Sequence, residues 1–382
     1  RRHAGPGEHD PAGRAQLTGA GPCRGWSGPA PWRRLRALLA AALLLTAHAA
    51  TAQRPDPAAP GHEVDPWPGT VPAFLARFPD DFGTVLADPD RYRVQLVFSR
   101  VIRRPNGTVA LETHAWRTDR CEYFYPASTV KLPVAALALE WLAEQGSPGL
   151  TAATPMEPPE AHGRVRQGLH GASRDAGDPA EASVGLYVRH IGAVSNNFAF
   201  NRLQDLLGPA AVNGALHARG YGAHACAKDP LRIVHRVADA AGDRPGIRDG
   251  FRFTAPDGRV LLDRPARTAG SDFAAPEPIP LGRGEWLDGT VVPGPKDFAP
   301  KNSIPLRALH DVLAALVLPG TQAPEARFRM RPEDRALLLG ALRTPASRIG
   351  IVPPTAPGEA PAGAVEDGYG KYLLLGGHGP VP

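Results

Sequence analysis

Lysine is scarce in this 382-residue chain, with five residues against 38 arginines. That skew fits a coding bias better than a binding role, because no lysine-rich tract is present to meet phosphates. The formal charge of +5 points the same way: seven arginines and two acids in residues 1–52 account for all of it, so residues 53–382 carry no net charge. A balanced body of this kind argues against nucleic acid as a partner. Cysteine is also rare, with three residues, and two scattered cysteines beyond residue 52 do not make a metal site. The 13 histidines lack ligand spacing, and His-Glu-x-x-His is absent. No Gly-x-Ser-x-Gly elbow and no glycine-rich phosphate loop after a strand is found. Neither a cofactor nor a metal is called for.

What the chain does have begins with a processing signal. Arg33, Arg34 and Arg36 precede an apolar run, Ala37 to Ala47, which is too short to span a bilayer. The small-x-small steps Ala47-His48-Ala49 and Ala50-Thr51-Ala52 follow. Residues 33–52 therefore read as a secretory signal peptide, and no cysteine follows them to carry a lipid, so no stable membrane anchor is expected. Residues 1–32 read as upstream sequence or a disordered leader, and 53–69 as a Pro-rich linker. Export to the periplasm or medium is the expected location. In that setting Cys121 and Cys226 could pair, which spacing alone does not decide.

Residues 70–382 hold the folded domain. Val71 to Leu86 reads as an amphipathic helix. Tyr92, Val94, Leu96 and Phe98 alternate with polar residues, Pro105-Asn106-Gly107 marks a turn, and Val109, Leu111 and Thr113 resume the alternation. That is a β-hairpin over about 91–116. The period then changes. Ser128 to Ala143 reads as a buried helix, with Pro133 tolerated in its first turn. Residues 146–182 look like loop. Ser183 caps a helix to about Ala193, Asn197 to Leu207 and Pro209 to Arg219 form two more, residues 221–300 look irregular, and Pro305–Leu318 and Pro332–Arg343 are amphipathic helices. Tyr369 to Leu375 begins one more apolar element.

The chemistry concentrates in Tyr125-Pro126-Ala127-Ser128-Thr129-Val130-Lys131. A serine and a lysine three apart at a helix start share one face. The helix N-terminus offers unpaired N–H groups that can hold an oxyanion. Burial in the apolar run would favour a neutral Lys131, able to take the Ser128 proton. By itself the pattern also fits a helix cap followed by a surface lysine, yet a surface lysine would be out of place in so apolar a stretch. Val194-Ser195-Asn196-Asn197 lies between two expected helices and by itself is an ordinary capping turn.

Taken together, the two segments resemble the class A β-lactamases and penicillin-binding proteins, in which Ser-x-x-Lys is followed some sixty residues on by Ser-[Asp/Asn]-Asn. Ala182-Ser183-Val184-Gly185-Leu186, Leu206-Leu207-Gly208 and Arg219-Gly220 fit the same pattern, and Lys296-Asp297-Phe298 through Asn302-Ser303-Ile304-Pro305-Leu306 resembles a secreted serine-hydrolase branch of that family. The resemblance implies an α+β fold of α/β-sandwich type, with an antiparallel sheet flanked by a helical domain. It implies Ser128 as the acylated nucleophile, Lys131 as its base partner, Ser195 as a proton shuttle and Asn197 as a contact to the substrate amide. The substrate would be a small β-lactam or a peptidoglycan-like peptide, acted on through an acyl-enzyme by a protein expected to be a monomer. A penicillin-binding D-Ala-D-Ala peptidase and a non-catalytic binding module on the same fold are the alternatives.

Three departures qualify this reading. Asn196 replaces the commoner Asp. No Glu-x-x-Leu-Asn segment supplies the family's deacylating carboxylate, and Glu285, in Arg283-Gly284-Glu285-Trp286, stands in a different context. No Lys-[Ser/Thr]-Gly occurs: the five lysines precede Leu132, Asp229, Asp297, Asn302 and Tyr372. The domain is therefore expected to be incomplete at its C-terminus, with the last strands missing.

Overall fold

The computed structural model describes residues 69–170, 182–234, 247–268, 277–287 and 290–344. The leader, the signal segment, the Pro-rich linker and the element expected from Tyr369 lie outside the described residues.

The helix expected over 71–86 is divided in two. The Thr70 hydroxyl caps α1 (Val71–Leu75) by accepting the Ala73 amide at 3.3 Å. Pro79 then forces its predecessor off the helical path: Phe78 sits at φ −124, ψ 65, and α2 (Pro79–Ala87) starts afresh. Pro89 repeats the effect, so that Asp88 is non-helical and accepts the Arg91 amide to open α3 (Pro89–Tyr92). This short helix takes residues expected in the hairpin, which begins at Leu96 instead. Strands β1 (Leu96–Arg103) and β2 (Val109–Trp116) pair antiparallel from Leu96↔Trp116 to Arg103↔Val109. The turn between them is the expected one: Gly107 takes φ +80 and the Asn106 side chain accepts the Thr108 amide. Val71, Leu75 and Phe82 pack with Leu96 and Trp116 and so cover one side of the hairpin.

The main core surrounds one helix. A 3₁₀ turn, Ala127–Val130, leads into α4 (Lys131–Glu144), in which every residue from Lys131 to Glu140 is buried. A helix apolar on all sides belongs at the centre of a domain. Around it stand α5 (His162–His170), α6 (Val184–Val194), α7 (Asn197–Leu207) and α8 (Pro209–Ala218). Helix α5 lies where loop was expected; its polar, glycine-containing sequence carries little helical signal. The other starts follow their caps: Ser183 Oγ accepts the Leu186 amide at 3.2 Å, and Asn196 Oδ1 accepts the Ala199 amide at 2.8 Å. Two more helices, α9 (Leu306–Val317) and α10 (Pro332–Arg343), match the expected spans to within a residue or so. A Cβ on Gly192 would meet the Ala341 backbone at 2.7 Å, so only glycine lets α6 and α10 approach this closely.

The irregular stretch contains short antiparallel pairs that alternation could not reveal at two to five residues each. Strand β3 (Ile247–Arg248) pairs with β6 (Arg267–Thr268), and β4 (Phe251–Thr254) with β5 (Val260–Arg264). Likewise β7 (Pro280–Leu281) pairs with β10 (Lys296–Asp297), and β8 (Gly284–Leu287) with β9 (Thr290–Pro293). Phe251 and Phe253 anchor the β4–β5 pair in the core. Every pair among the described residues is antiparallel, and the helices are gathered around α4, which makes the fold α+β.

His310 ties the hairpin to α9. Its Nε2 lies 2.8 Å from Ser99 Oγ and its Nδ1 2.8 Å from Asp311 Oδ1, while Ser99 Oγ also meets Thr113 Oγ1 at 2.7 Å. It is a satisfied structural histidine, as its apolar helical setting suggests; His235 lies outside the described residues. No helix among the described residues is long and apolar enough to cross a membrane.

Candidate active site

The segment that delivers Ser128 is held from several sides. Cys121 and Cys226 form a disulfide, with Cα atoms 5.8 Å apart, which decides the pairing that spacing left open. Two residues on, the Tyr123 hydroxyl donates to the Asn302 carbonyl at 3.0 Å. The Phe124 amide donates to Asp229 Oδ1 at 3.3 Å, and Ser303 Oγ donates to the same oxygen at 2.9 Å. Burial pushes the Asp229 carboxyl up to about 6, although these two hydrogen bonds work in the opposite direction.

The backbone is strained along this approach. Five non-glycine residues among those described have positive φ, and three of them, Arg117, Cys121 and Ala127, lie in the segment before Ser128. Ala127, at φ +47, immediately precedes the serine. A left-handed L-residue costs about 1–2 kcal/mol, so the surroundings must impose the conformation. Ser128 then sits half-buried in the 3₁₀ turn, and its carbonyl accepts the Lys131 amide. The expected single α-helix from Ser128 is thus a 3₁₀ turn followed by α4 from Lys131.

Lys131 is fully buried. Its Nζ donates to Asn197 Oδ1 at 2.6 Å, to the Ser195 carbonyl at 2.6 Å and to Ser195 Oγ at 3.0 Å. Three acceptors converge on one amine, and all three come from the second sequence motif. The reading of Lys131 as a surface residue is excluded. The two segments, 64 residues apart from Lys131 to Ser195, meet at this amine.

The second motif has its own strain. Ser195 ends α6 in the left-handed conformation, φ +57, with its amide closing onto the His190 and Ile191 carbonyls. Helices commonly place glycine there. Serine in that position puts its carbonyl and hydroxyl on Lys131. The Asn196 amide returns to the His190 carbonyl at 3.2 Å. Burial, with the nearby Arg189 charge, pulls His190 down to about 4, so it is neutral near pH 7. Asn196 faces away from Lys131: Oδ1 caps α7, and Nδ2 donates to the Gly168 carbonyl on α5 at 3.3 Å. An aspartate could cap but could not donate, which gives the departure at this position a physical reason.

One supporting network has little signal in the sequence. Arg202 of α7 is buried and holds Glu157 through both carboxylate oxygens, Nε to Oε1 at 3.0 Å and Nη2 to Oε2. The Tyr187 hydroxyl of α6 donates to Glu157 Oε1 at 2.5 Å, and Arg202 Nη1 reaches Asp249 Oδ2 at 2.7 Å. Burial works to lower the guanidinium pKa, but the Glu157 charge beside it keeps that pKa raised. The network locks α6 against α7, the two helices that meet at Ser195–Asn197. Its only trace in the sequence is an arginine in the apolar side of α7.

Glu285 lies within β8, opposite Val292. Among the described residues no group of three or more His, Cys, Asp or Glu side chains could hold a metal ion.

Residues 107–260 match the sequence model of the β-lactamase enzyme family, a stretch that contains Ser128, Lys131, Ser195 and Asn197. No curated protein matches the chain. Among solved structures, a β-lactamase from Sphaerobacter thermophilus DSM 20745 aligns at 18% identity over 70% of this chain and 71% of its own, with a TM-score of 0.32. So loose a superposition adds nothing to the geometry above.

Proposed function

We propose that this chain, whose residues 107–260 match the model of the β-lactamase enzyme family, is an exported serine hydrolase that cleaves a β-lactam or peptide amide through an acyl-enzyme on Ser128. The observation that carries this reading is the convergence of Lys131 Nζ, Ser195 and Asn197 one helical turn from Ser128. In the proposed reaction Lys131 reacts as the neutral amine, keeping its two N–H bonds to Asn197 Oδ1 and the Ser195 carbonyl, and Ser128 Oγ attacks the substrate carbonyl as its proton passes to the amine lone pair. The Ser128 amide stabilises the oxyanion. As the C–N bond breaks, Ser195 Oγ hands a proton to the leaving nitrogen and is reprotonated from Lys131. Asn197 is placed to hold the substrate amide. Water then attacks the ester, releasing the acid and restoring Ser128.

Deacylation is the weaker half. Glu157 has both carboxylate oxygens engaged by Arg202, and one also by Tyr187, so it is not placed to activate water. Together with the missing Glu-x-x-Leu-Asn pattern, this favours rapid acylation and slow turnover, the behaviour of a penicillin-binding peptidase over an efficient β-lactamase. The disulfide supports an oxidising compartment and so agrees with the signal segment at 33–52.

Stopped-flow assay with a chromogenic cephalosporin tests the reading. A burst of about one equivalent followed by a slow steady state is expected, and neither phase in Ser128→Ala. Absence of both from the correctly folded parent protein would favour a binding module on this fold.

A further inference from the structure

Asn-Gly occurs twice in the chain, at 106–107 and 213–214. The fold treats the two in opposite ways. Asn213 is fully buried in α8: its Nδ2 donates to the Pro209 and Ile233 carbonyls, each at 2.9 Å, and its Oδ1 accepts the Ile233 amide at 2.8 Å. Asn106 stands at the tip of the β1–β2 hairpin, in an exposed run from Arg103 to Thr108.

The tip is tightly built. The Gly107 amide donates to the Arg104 carbonyl at 2.9 Å, and the Arg104 amide donates to the Thr108 carbonyl at 2.9 Å. Inside this turn Asn106 Oδ1 accepts twice from Thr108, from the amide at 3.0 Å and from the hydroxyl at 2.7 Å. The bond to the Thr108 amide curls the Asn106 side chain back over the Gly107 peptide. That brings Cγ towards the Gly107 nitrogen, and glycine has no side chain to obstruct the approach. If that nitrogen attacks Cγ, negative charge collects on Oδ1, where the two Thr108 donors already point, as in an oxyanion hole.

We propose that Asn106 is a self-modification site, converted by Gly107 through a succinimide into aspartate and isoaspartate, with Thr108 holding the carbonyl oxygen. In the first step the bond from Gly107 nitrogen to Cγ forms and the Cγ–Nδ2 bond breaks. Ammonia leaves, carrying the proton lost by the Gly107 nitrogen. Water then opens the ring. Attack at Cγ gives aspartate. Attack at the α-carbonyl gives isoaspartate, whose main chain runs through Cγ and is longer by one carbon. Water is the only co-reactant. The Gly107–Arg104 bond must open first, and an exposed hairpin tip is where local opening costs least. At Asn213 the same step requires α8 to unfold. The product sets a carboxylate close to Arg103 and Arg104, and as isoaspartate it lengthens the connection next to the Arg103↔Val109 pair. Ser128 plays no part in this conversion.

Incubation of the full chain in warm, mildly alkaline buffer, followed by peptide mapping with mass spectrometry, tests the site. Deamidation of Asn106 is expected to run at least about tenfold faster than that of Asn213, since the two differ in the cost of local opening. Thr108→Val keeps the side-chain shape and the backbone amide but removes the hydroxyl. The rate at Asn106 should then fall about three- to tenfold, the weight of one hydrogen bond, and should equal the parent's in urea, where the turn is gone. Equal rates at Asn106 and Asn213 in the folded chain would overturn the inference. So would an Asn106 that stays intact in the folded chain while the urea-unfolded chain deamidates there. An unchanged rate in folded Thr108→Val, or an equal fall in urea, would remove Thr108 from the chemistry.

Discussion

Lys131 Nζ and Asn197 Oδ1 are 2.6 Å apart in the interior of the domain. The bond joins the first residue of α4 to the first residue of α7, and it accounts for an ammonium-bearing side chain in the most apolar helix of the chain. Removing the acceptor leaves a buried donor short of a partner. Asn197→Ala is expected to lower unfolding stability by about 1–3 kcal/mol in a denaturant titration. Acylation should slow more than stability alone explains, because the amine loses its orientation. Unchanged stability would mean that the bond has little weight.

Ala127 offers a test in the opposite direction. Glycine accepts φ +47 without penalty, at the expense of a more flexible unfolded chain. Ala127→Gly is expected to change stability by less than about 1 kcal/mol, with a net gain, while Ala127→Val loses more than about 1 kcal/mol because a β-branched residue resists that conformation. Thermal midpoints of the two variants decide this. If valine is tolerated as well as glycine, the turn is not strained.

The Asp229 carboxyl predicts a pH dependence. Its folded pKa, about 6, lies above the ordinary value of 3.8, so the folded state holds the proton more tightly than the unfolded chain. The stabilisation that this proton brings is complete below about pH 4 and is lost as the pH rises through 6. In Asp229→Asn, which can still accept from Phe124 and Ser303, that decline of about 2–3 kcal/mol between pH 4 and 7 should disappear. Urea titrations at several pH values measure it; parallel profiles for the two proteins would contradict it.

The disulfide closes a separation of 105 residues. A loop of that length is worth about 4–5 kcal/mol by chain entropy. Replacing both Cys121 and Cys226 with serine should lower stability by an amount of that order. It should also slow acylation, since the bridge tethers the strained approach to Ser128. Full acylation in the double variant, at a temperature where it remains folded, would show that the tether does not position the serine.

How much of this could be read from the sequence depended on range. Helices α6 to α10 announce themselves through local signals: Ser183 and Asn196 as caps, Gly208 as a stop, Pro209 and Pro332 as starts. The encounter of Lys131 with Ser195 and Asn197 was legible because two short motifs together specify it. Local signals failed where they were weak or in competition. Pro79 divided a stretch that reads as one helix, Pro89 opened a short helix where the hairpin was expected to begin, α5 lay hidden among glycines and charges, and strands of two to five residues show no period. Long-range pairings were out of reach. Nothing near Glu157 in the chain announces Arg202, and nothing near Asp229 announces Phe124 or Ser303. Asn196 stands between these cases: its departure from aspartate was visible, but the reason, a bond to the Gly168 carbonyl, required the fold.

The account stands on acylation of one serine. Intact-mass analysis with peptide mapping, after the full chain is exposed to benzylpenicillin, tests this most directly. A single penicilloyl adduct on Ser128 is predicted, absent from Ser128→Ala and formed far more slowly in Lys131→Met. An adduct on another residue, or one that persists in folded Ser128→Ala, would contradict it.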